Sequence, residues 1–368
     1  MSGFRVDRSR IQHFDWVLVG LVAILATMGL INLVSAAASG VEGGTDIVGR
    51  QMSVMALAVI VIGVVLLIDY RHCERFAYAI YAGTLALLLL TLAIAEETRG
   101  ARAWLISGRI QPSEFAKVGM VIALARYFGR NPPSEIRRLR ELVMPGLIVA
   151  MPVALVVAQK DLGVAVLILA IGLTLLPLVS VPLRAWLGIA AVGAAGLAAV
   201  WRFGLKAYQQ ERIFGFLDPS RDPLASGYQQ IQSRIAVGSG GLLGTGWQEG
   251  TQTQLRFLPT QHTDFVFSVL AEEWGFLGGT AALVVYMAML IWGLLIARNS
   301  KDIFGSVLAI GLVGTLLWPA VINIAMVLGL APVIGVPLPL FSYGGSALLS
   351  AAVAIGLLLN ISMRRYVF

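Results

Sequence analysis

What this chain can fold into is decided by its long apolar runs. Ten are read, at about 16–38, 51–69, 76–95, 113–129, 142–159, 163–181, 184–203, 264–297, 304–328 and 346–363. A helix rises about 1.5 Å per residue and the hydrocarbon core of a bilayer is about 30 Å thick, so roughly 20 apolar residues suffice to cross it. The composition agrees, since 58% hydrophobic and only 13% charged residues leave too few charges for a soluble surface. The expected fold is an all-α polytopic membrane protein of about ten helices, with residues 1–368 forming a single integral membrane domain. The first run, residues 16–38, is longer than the roughly 7–15 apolar residues of a cleaved signal, so it is read as a retained helix. The run 264–297 is too long for one perpendicular crossing and is expected to begin with an amphipathic lead-in.

Charge sorts the connections into two sides. One set of loops and tails carries fifteen cations, from Arg5, Arg8 and Arg10 through Arg71, Arg75, Arg126, Arg130, Arg137, Arg138, Arg140, Arg184, Arg298 and Lys301 to Arg364 and Arg365. The opposite set, without the long loop, carries six: Arg50, Arg99, Arg102, Arg109, Lys117 and Lys160. The positive-inside rule places the richer side, and both termini, in the cytoplasm. The net charge of +7 follows from this asymmetry and does not call for nucleic acid. The chain's one cysteine, Cys73, excludes an intrachain disulfide and a cysteine-rich metal site.

A loop of about residues 204–263 then lies outside, far longer than an ordinary connection, which marks a functional element. A second external segment, Ala331–Ser346, holds Pro332, Pro337 and Pro339 and cannot be a regular helix. It is either a plain loop or backbone that lines a cavity. Four further features collect on this side. In WLISGRIQPSEFAK, Trp104 to Lys117, Pro112 and Ser113 look like a helix start, with Glu114 at its positive end. Glu114 and Lys117 stand three apart, which by itself fits a surface ion pair worth a few tenths of a kcal/mol. Asp161 sits in the turn Gln159–Gly163, which fits an ordinary charged turn equally well. The glycine-rich Gly238–Gly246 matches neither GxGxxG nor GxxxxGK[ST], so close-packed backbone or a turn is the expectation. His262-Thr263-Asp264 precedes the eighth run. Asp264 fits a helix N-cap, and His262 has no second histidine on its side with which to hold a metal.

Taken together, Glu114, Lys117, Asp161 and Asp264 stand at the external boundary of four different apolar runs. Charges in such places usually mark a wet cavity and a site. A carboxylate there can take a proton from a sugar hydroxyl, and a lysine can hold a pyrophosphate.

The blocks IQPSEFAK at Ile110–Lys117, DLG at Asp161–Gly163, Ile231–Phe276 and GVPLPLFSYGGSALL at Gly335–Leu349 carry a resemblance over nearly the whole chain. The sequence resembles the shape, elongation, division and sporulation (SEDS) family of peptidoglycan polymerases. The GW-x-x-GTQ-x-QL pattern at Gly246–Leu255 looks like its elongation, or RodA, branch rather than the division branch. The resemblance implies a ten-helix bundle in the bacterial inner membrane, with the active site on the periplasmic side, that polymerises lipid II by an inverting glycosyl transfer. It implies Asp264 as general base, with Glu114, Lys117 and Asp161 as further cavity residues and Trp104, Arg109, Arg212 and His262 as candidate substrate contacts. Lys117, or more weakly Arg212 or Arg109, would neutralise the pyrophosphate. It also implies a class B penicillin-binding protein and the elongation machinery as partners, beside membrane lipids. No firm cofactor is expected, although carboxylates near a pyrophosphate would suit Mg²⁺ or Mn²⁺. The chain departs from the family at Thr260, where glutamate often follows the proline, at Lys160, where proline often precedes Asp-Leu-Gly, and at Ala103, where arginine often precedes the tryptophan. The alternatives in other classes are a flippase for lipid-linked precursors, which needs polar groups through the whole membrane, and a noncatalytic scaffold. An O-antigen ligase or polymerase is closer in chemistry but lacks the quoted blocks.

Overall fold

The computed structural model describes residues 14–38, 44–97, 100–106, 110–136, 138–180, 182–199, 202, 210, 226–258 and 260–365. Among these, twelve α-helices form: α1 Trp16–Ala38, α2 Gly44–Leu67, α3 Tyr70–Ile94, α4 Pro112–Arg130, α5 Val143–Ala158, α6 Leu162–Leu173, α7 Leu183–Ala199, α8 Ser226–Ser239, α9 Thr251–Gln254, α10 Val266–Arg298, α11 Ile303–Val327 and α12 Gly345–Arg364. The ten apolar runs correspond to α1–α7 and α10–α12, and the two additional helices lie within the long loop. Among the described residues, seven helical spans are long and apolar enough to cross a bilayer, one of them α5 together with the 3-10 turn Leu139–Leu142 before it. The chain is a multi-pass membrane protein. Helix α4 falls short of that measure because it carries Glu114, Lys117, Arg126 and Arg130, and α6 and α7 because they are short.

The bundle is built around α4, α11 and α12, which are buried over most of their lengths. Helices α11 and α12 can do this because they are apolar nearly all round, and α4 because Glu114, Lys117 and Arg126 are paired, whereas α2 and α3 expose Val59, Ile60, Leu67 and Leu89 on their outer faces. Helix α12 packs along α2, α3 along α4, and α11 along both α4 and α10.

At one end of the bundle a polar network joins the connections. The Tyr70 hydroxyl donates to Asp302 Oδ2 at 2.6 Å, and Arg364 pairs with Asp69 at 2.8 Å. Asn360 Nδ2 donates to the carbonyls of Val65 and Ile68, and Arg126 pairs with Glu74. Asp15 caps the start of α1 and accepts from Trp292 Nε1 at 2.7 Å and Ser362 Oγ at 3.0 Å. This is the arginine-rich end of the sequence reading.

The expected lead-in of α10 is corrected in character. The helix is interrupted at Gly275, at φ +65° and ψ −164°, and the remaining 276–298 is about 35 Å long, enough for one crossing. The segment 266–273 before the break is buried on every side, not amphipathic. It can be, because its polar groups are matched from neighbours. Asn32 Nδ2 donates to the Val266 carbonyl at 2.7 Å, and Ser233 and Ser268 share a hydrogen bond of 2.8 Å. Ser35 donates to Glu273, and Glu272 accepts from the Gln252 and Thr253 amides and from Thr253 Oγ1 at the start of α9.

The glycine-rich loop is close-packed backbone, as expected. Thr245 N and Gly246 N donate to the carbonyls of Glu272 and Glu273, and Phe276 N and Leu277 N donate to those of Gly241 and Leu242. A Cβ on Gly244 would stand 2.0 Å from the Glu273 carbonyl oxygen, so a side chain has no room there.

Candidate functional site

At the end of the bundle opposite the arginine-rich network, Pro112 opens α4 as a proline should, with its fixed φ in the first turn. One turn on, Glu114 and Lys117 form an ion pair of 2.8 Å. The surface-pair reading is corrected here: both side chains are buried, at 7% and 4% exposure. Two charges taken this far from water are costly unless paired, and the pair faces a small cavity rather than lipid. That cavity, about 20 Å³, is lined by the pair together with Thr315 and Pro319 of α11, Val336, Pro337 and Pro339, and Ser350 of α12. The Ser350 hydroxyl donates to the Glu114 carbonyl at 3.1 Å. The proline-rich segment is therefore cavity-lining backbone, the second of the two readings its composition allowed.

Asp161 joins the same end through α4. Its Oδ1 accepts from Val164 N at 3.2 Å, capping α6, and its Oδ2 accepts from Gln111 Nε2 at 3.2 Å. Gln111 N in turn donates to Ser346 Oγ at 2.9 Å, at the start of α12. Burial pushes the Asp161 carboxyl above its ordinary value, and the charge of Glu114 adds to this. The Val164 amide, Gln111 and Lys117 oppose the shift without cancelling it. The charged turn is thus a partly desolvated carboxylate two bonds from α12.

Asp264 does not cap α10. Phe265 occupies the cap position without a side-chain capping bond, while the Asp264 amide donates to the Thr260 carbonyl at 3.1 Å. Its carboxylate instead lies beside Gly335, where a Cβ would stand 3.5 Å from Oδ2. The segment 334–337 is the hub of the arrangement. Ile334 packs on Gly163, where an added Cβ would come within 2.9 Å of Ile334 Cγ2. Gly335 meets Asp264, and Val336 and Pro337 wall the Glu114–Lys117 cavity. Asp264 and the Glu114–Lys117 cavity therefore share one irregular segment, which reaches the Asp161 turn through the contact of Ile334 with Gly163.

The weaker candidates distribute differently. His262 is half-buried beside this segment; its carbonyl accepts from Tyr343 N at 2.9 Å and its ring lies 6.2 Å from that of Tyr343. Trp104 is half-buried in the connection before α4 and does not line the cavity. Arg109 and Arg212 lie outside the described residues. Sequence reasoning passed over Gln111, Asn323, Ser346 and Ser350, which hold the site's backbone, and the Glu272–Glu273 pair, which holds the loop leading into it. Asn323 did carry a signal, a lone amide in an apolar run, which is costly in a membrane without a partner.

Comparison with known proteins identifies the family of the chain. The family model FtsW/RodA/SpoVE, described as cell cycle protein, matches residues 15–367. The peptidoglycan glycosyltransferase MrdB of Escherichia coli strain K12 is 40% identical over 358 residues, covering 96% of this chain and 94% of that protein. Among solved structures, a chain of a peptidoglycan synthase complex that coordinates polymerization and crosslinking superposes with a TM-score of 0.82 at 32% identity, covering 96% of this chain and 99% of that one. The rod shape determining protein RodA of Thermus thermophilus, in an aspartate-to-alanine form, gives a TM-score of 0.71 at 30% identity, with 96% and 98% covered. With a helical core, an irregular cavity wall and matches over nearly its full length, the chain belongs to the FtsW/RodA/SpoVE family of cell cycle proteins.

Proposed function

We propose that this protein is a peptidoglycan glycosyltransferase that polymerises lipid II, with Asp264 as its general base. The observation that carries this reading is the placement of Asp264: a carboxylate not spent on capping its helix, set against the segment that walls a buried ion pair. Names given to relatives, such as the peptidoglycan glycosyltransferase MrdB, support the reaction class.

In the reaction, the carboxylate takes the proton of the acceptor's GlcNAc 4-hydroxyl as that oxygen attacks the anomeric carbon of the donor. The bond from that carbon to undecaprenyl pyrophosphate breaks, and its electron pair leaves with the phosphate. Direct displacement turns an α-linked donor into a β-linked product, which requires a base on the attacking side. Lys117 offsets charge gathering on the leaving pyrophosphate, and a fixed cation in a water-poor site does this far better than in water. Glu114 holds Lys117 in place through their 2.8 Å ion pair. Arg109 and Arg212 are kept as further candidate contacts to the pyrophosphate, and Trp104 and His262 to the substrate.

Mg²⁺ and Mn²⁺ bind mainly through oxygen ligands, and Mg²⁺ favours octahedral coordination. The described residues bring together no group of three His, Cys, Asp or Glu side chains, and Glu114 and Asp161 are already engaged. Reaction at the external face places this end of the bundle in the periplasm and the arginine-rich end in the cytoplasm of the inner membrane. The proposed partner is a class B penicillin-binding protein of the elongation machinery, supported by the similarity to a chain of a synthase complex.

The test is glycan synthesis from purified lipid II by the wild type and by Asp264→Asn, each with a penicillin-binding protein that has no polymerising activity of its own. Polymer from the wild type and none from an equally folded variant is expected. Equal product from both removes Asp264 as base. Product from neither, with lipid II transferred between leaflets of a vesicle, supports the flippase instead.

A further inference from the structure

Asn323 stands near the end of α11 with none of its surface exposed, in a helix otherwise apolar around it. Its Nδ2 makes two hydrogen bonds, to the carbonyl of Asp264 at 2.8 Å and to the carbonyl of Val336 at 2.7 Å. Its Oδ1 has no partner. The amide can face only this way, because the reverse orientation would set its oxygen against two carbonyl oxygens. A buried amide with an orphaned oxygen is less favourable than a leucine of similar volume, unless the two bonds accomplish something. What they join is specific: the backbone of the residue read as base, and the backbone of a residue that walls the Glu114–Lys117 cavity.

We propose that Asn323 is a positioning residue, which fixes the Asp264 carboxylate relative to the cavity by clamping the Asp264 and Val336 carbonyls to one nitrogen. The catalytic half of this inference rests on the polymerase reading. Each carbonyl accepts one of the two N–H bonds of a planar group, so their separation is set by that group's geometry. Serine and a protonated aspartate each have only one hydrogen to offer, and leucine has none. The Tyr343 amide bond to the His262 carbonyl remains in every such variant, so the two segments stay in contact and only the register at Asp264 loosens. An error of about 1 Å in the placement of a reacting group costs on the order of a hundredfold in rate.

The test uses the full-length protein with its transpeptidase partner, comparing wild type, Asn323→Leu and Asn323→Asp. Two readouts are taken: initial rates of glycan synthesis against lipid II concentration, and amide hydrogen exchange. For Asn323→Leu, kcat falls about a hundredfold while KM stays within about twofold. Exchange rises in 260–266 and 334–338 and not in α4 or α12. Asn323→Asp, with one donor when protonated, gives an intermediate kcat. A wild-type kcat in Asn323→Leu overturns the proposal, as does a rise in KM alone, or exchange that is unchanged or raised throughout. A wild-type protein that makes no polymer overturns the polymerase reading and the catalytic half of this inference with it, while exchange still decides whether the clamp exists.

Discussion

The Glu114–Lys117 pair has consequences that a surface pair would not. Removing one partner leaves the other charged and buried, which typically costs about 3–5 kcal/mol, whereas removing both with apolar residues of similar volume is often close to neutral. Lys117→Met alone is therefore expected to lower the thermal midpoint in detergent more than Glu114→Leu and Lys117→Met together, although both proteins lose polymer synthesis. A double variant less stable than the single one would show that the pair is not what holds this end of α4. Asp161 makes a second prediction, in pH. A carboxyl raised by burial binds its proton more tightly in the folded state than in the unfolded one. Its contribution is fully present below about pH 4, the unfolded value, and is lost as pH rises through the raised value. The midpoint of the wild type relative to Asp161→Asn should therefore fall as pH is raised across that window, and a difference independent of pH would contradict the burial. All three residues were legible as candidates because charge beside an apolar run is costly. Their burial was not, since an i, i+3 pair has the same spelling on a surface and in a cavity wall.

Among the elements, the break in α10 is the joint on which the long loop before it turns. Gly275 combines a left-handed φ with a tight contact, a Cβ there standing 2.3 Å from Gly244 N. Gly275→Ala is expected to destabilise the folded protein by several kcal/mol, since strain and overpacking add. Trypsin or chymotrypsin should then cut the 240–257 loop, where Leu242, Leu243 and Leu255 are exposed, at lower temperature than the transmembrane core melts. A loop that keeps its protection in this variant would mean that the α9 cap by Glu272 holds it without the joint. The length of the eighth run already required a break or a tilt. Its position and the burial of 266–273 did not follow, because they depend on Asn32 and Ser35 of α1 and Ser233 of α8 supplying partners from afar.

At the scale of the whole molecule, the arrangement predicts a topology that can be read chemically. In a Cys73→Ser background, a cysteine at Leu243, which is 78% exposed, should react with an impermeant maleimide in intact spheroplasts. One at Arg71, at the arginine-rich end, should react only after permeabilisation. Labelling at position 71 but not at position 243 from outside would invert the orientation on which the proposed chemistry depends. By itself the sequence determined the helices and the uneven loop charge from which sidedness is predicted, because a bilayer leaves a long apolar run little choice but to be a helix, and loop cations are counted without knowing any contact. It also singled out Glu114, Lys117, Asp161 and Asp264 as one group. The tertiary structure alone decided how they meet: Asp264 and the Glu114–Lys117 cavity along residues 335–337, Asp161 through Gln111, with the Asp264 backbone joined by Asn323 to the cavity wall. Those contacts run between residues far apart in the chain, across hydrogen bonds and close approaches that no local pattern encodes.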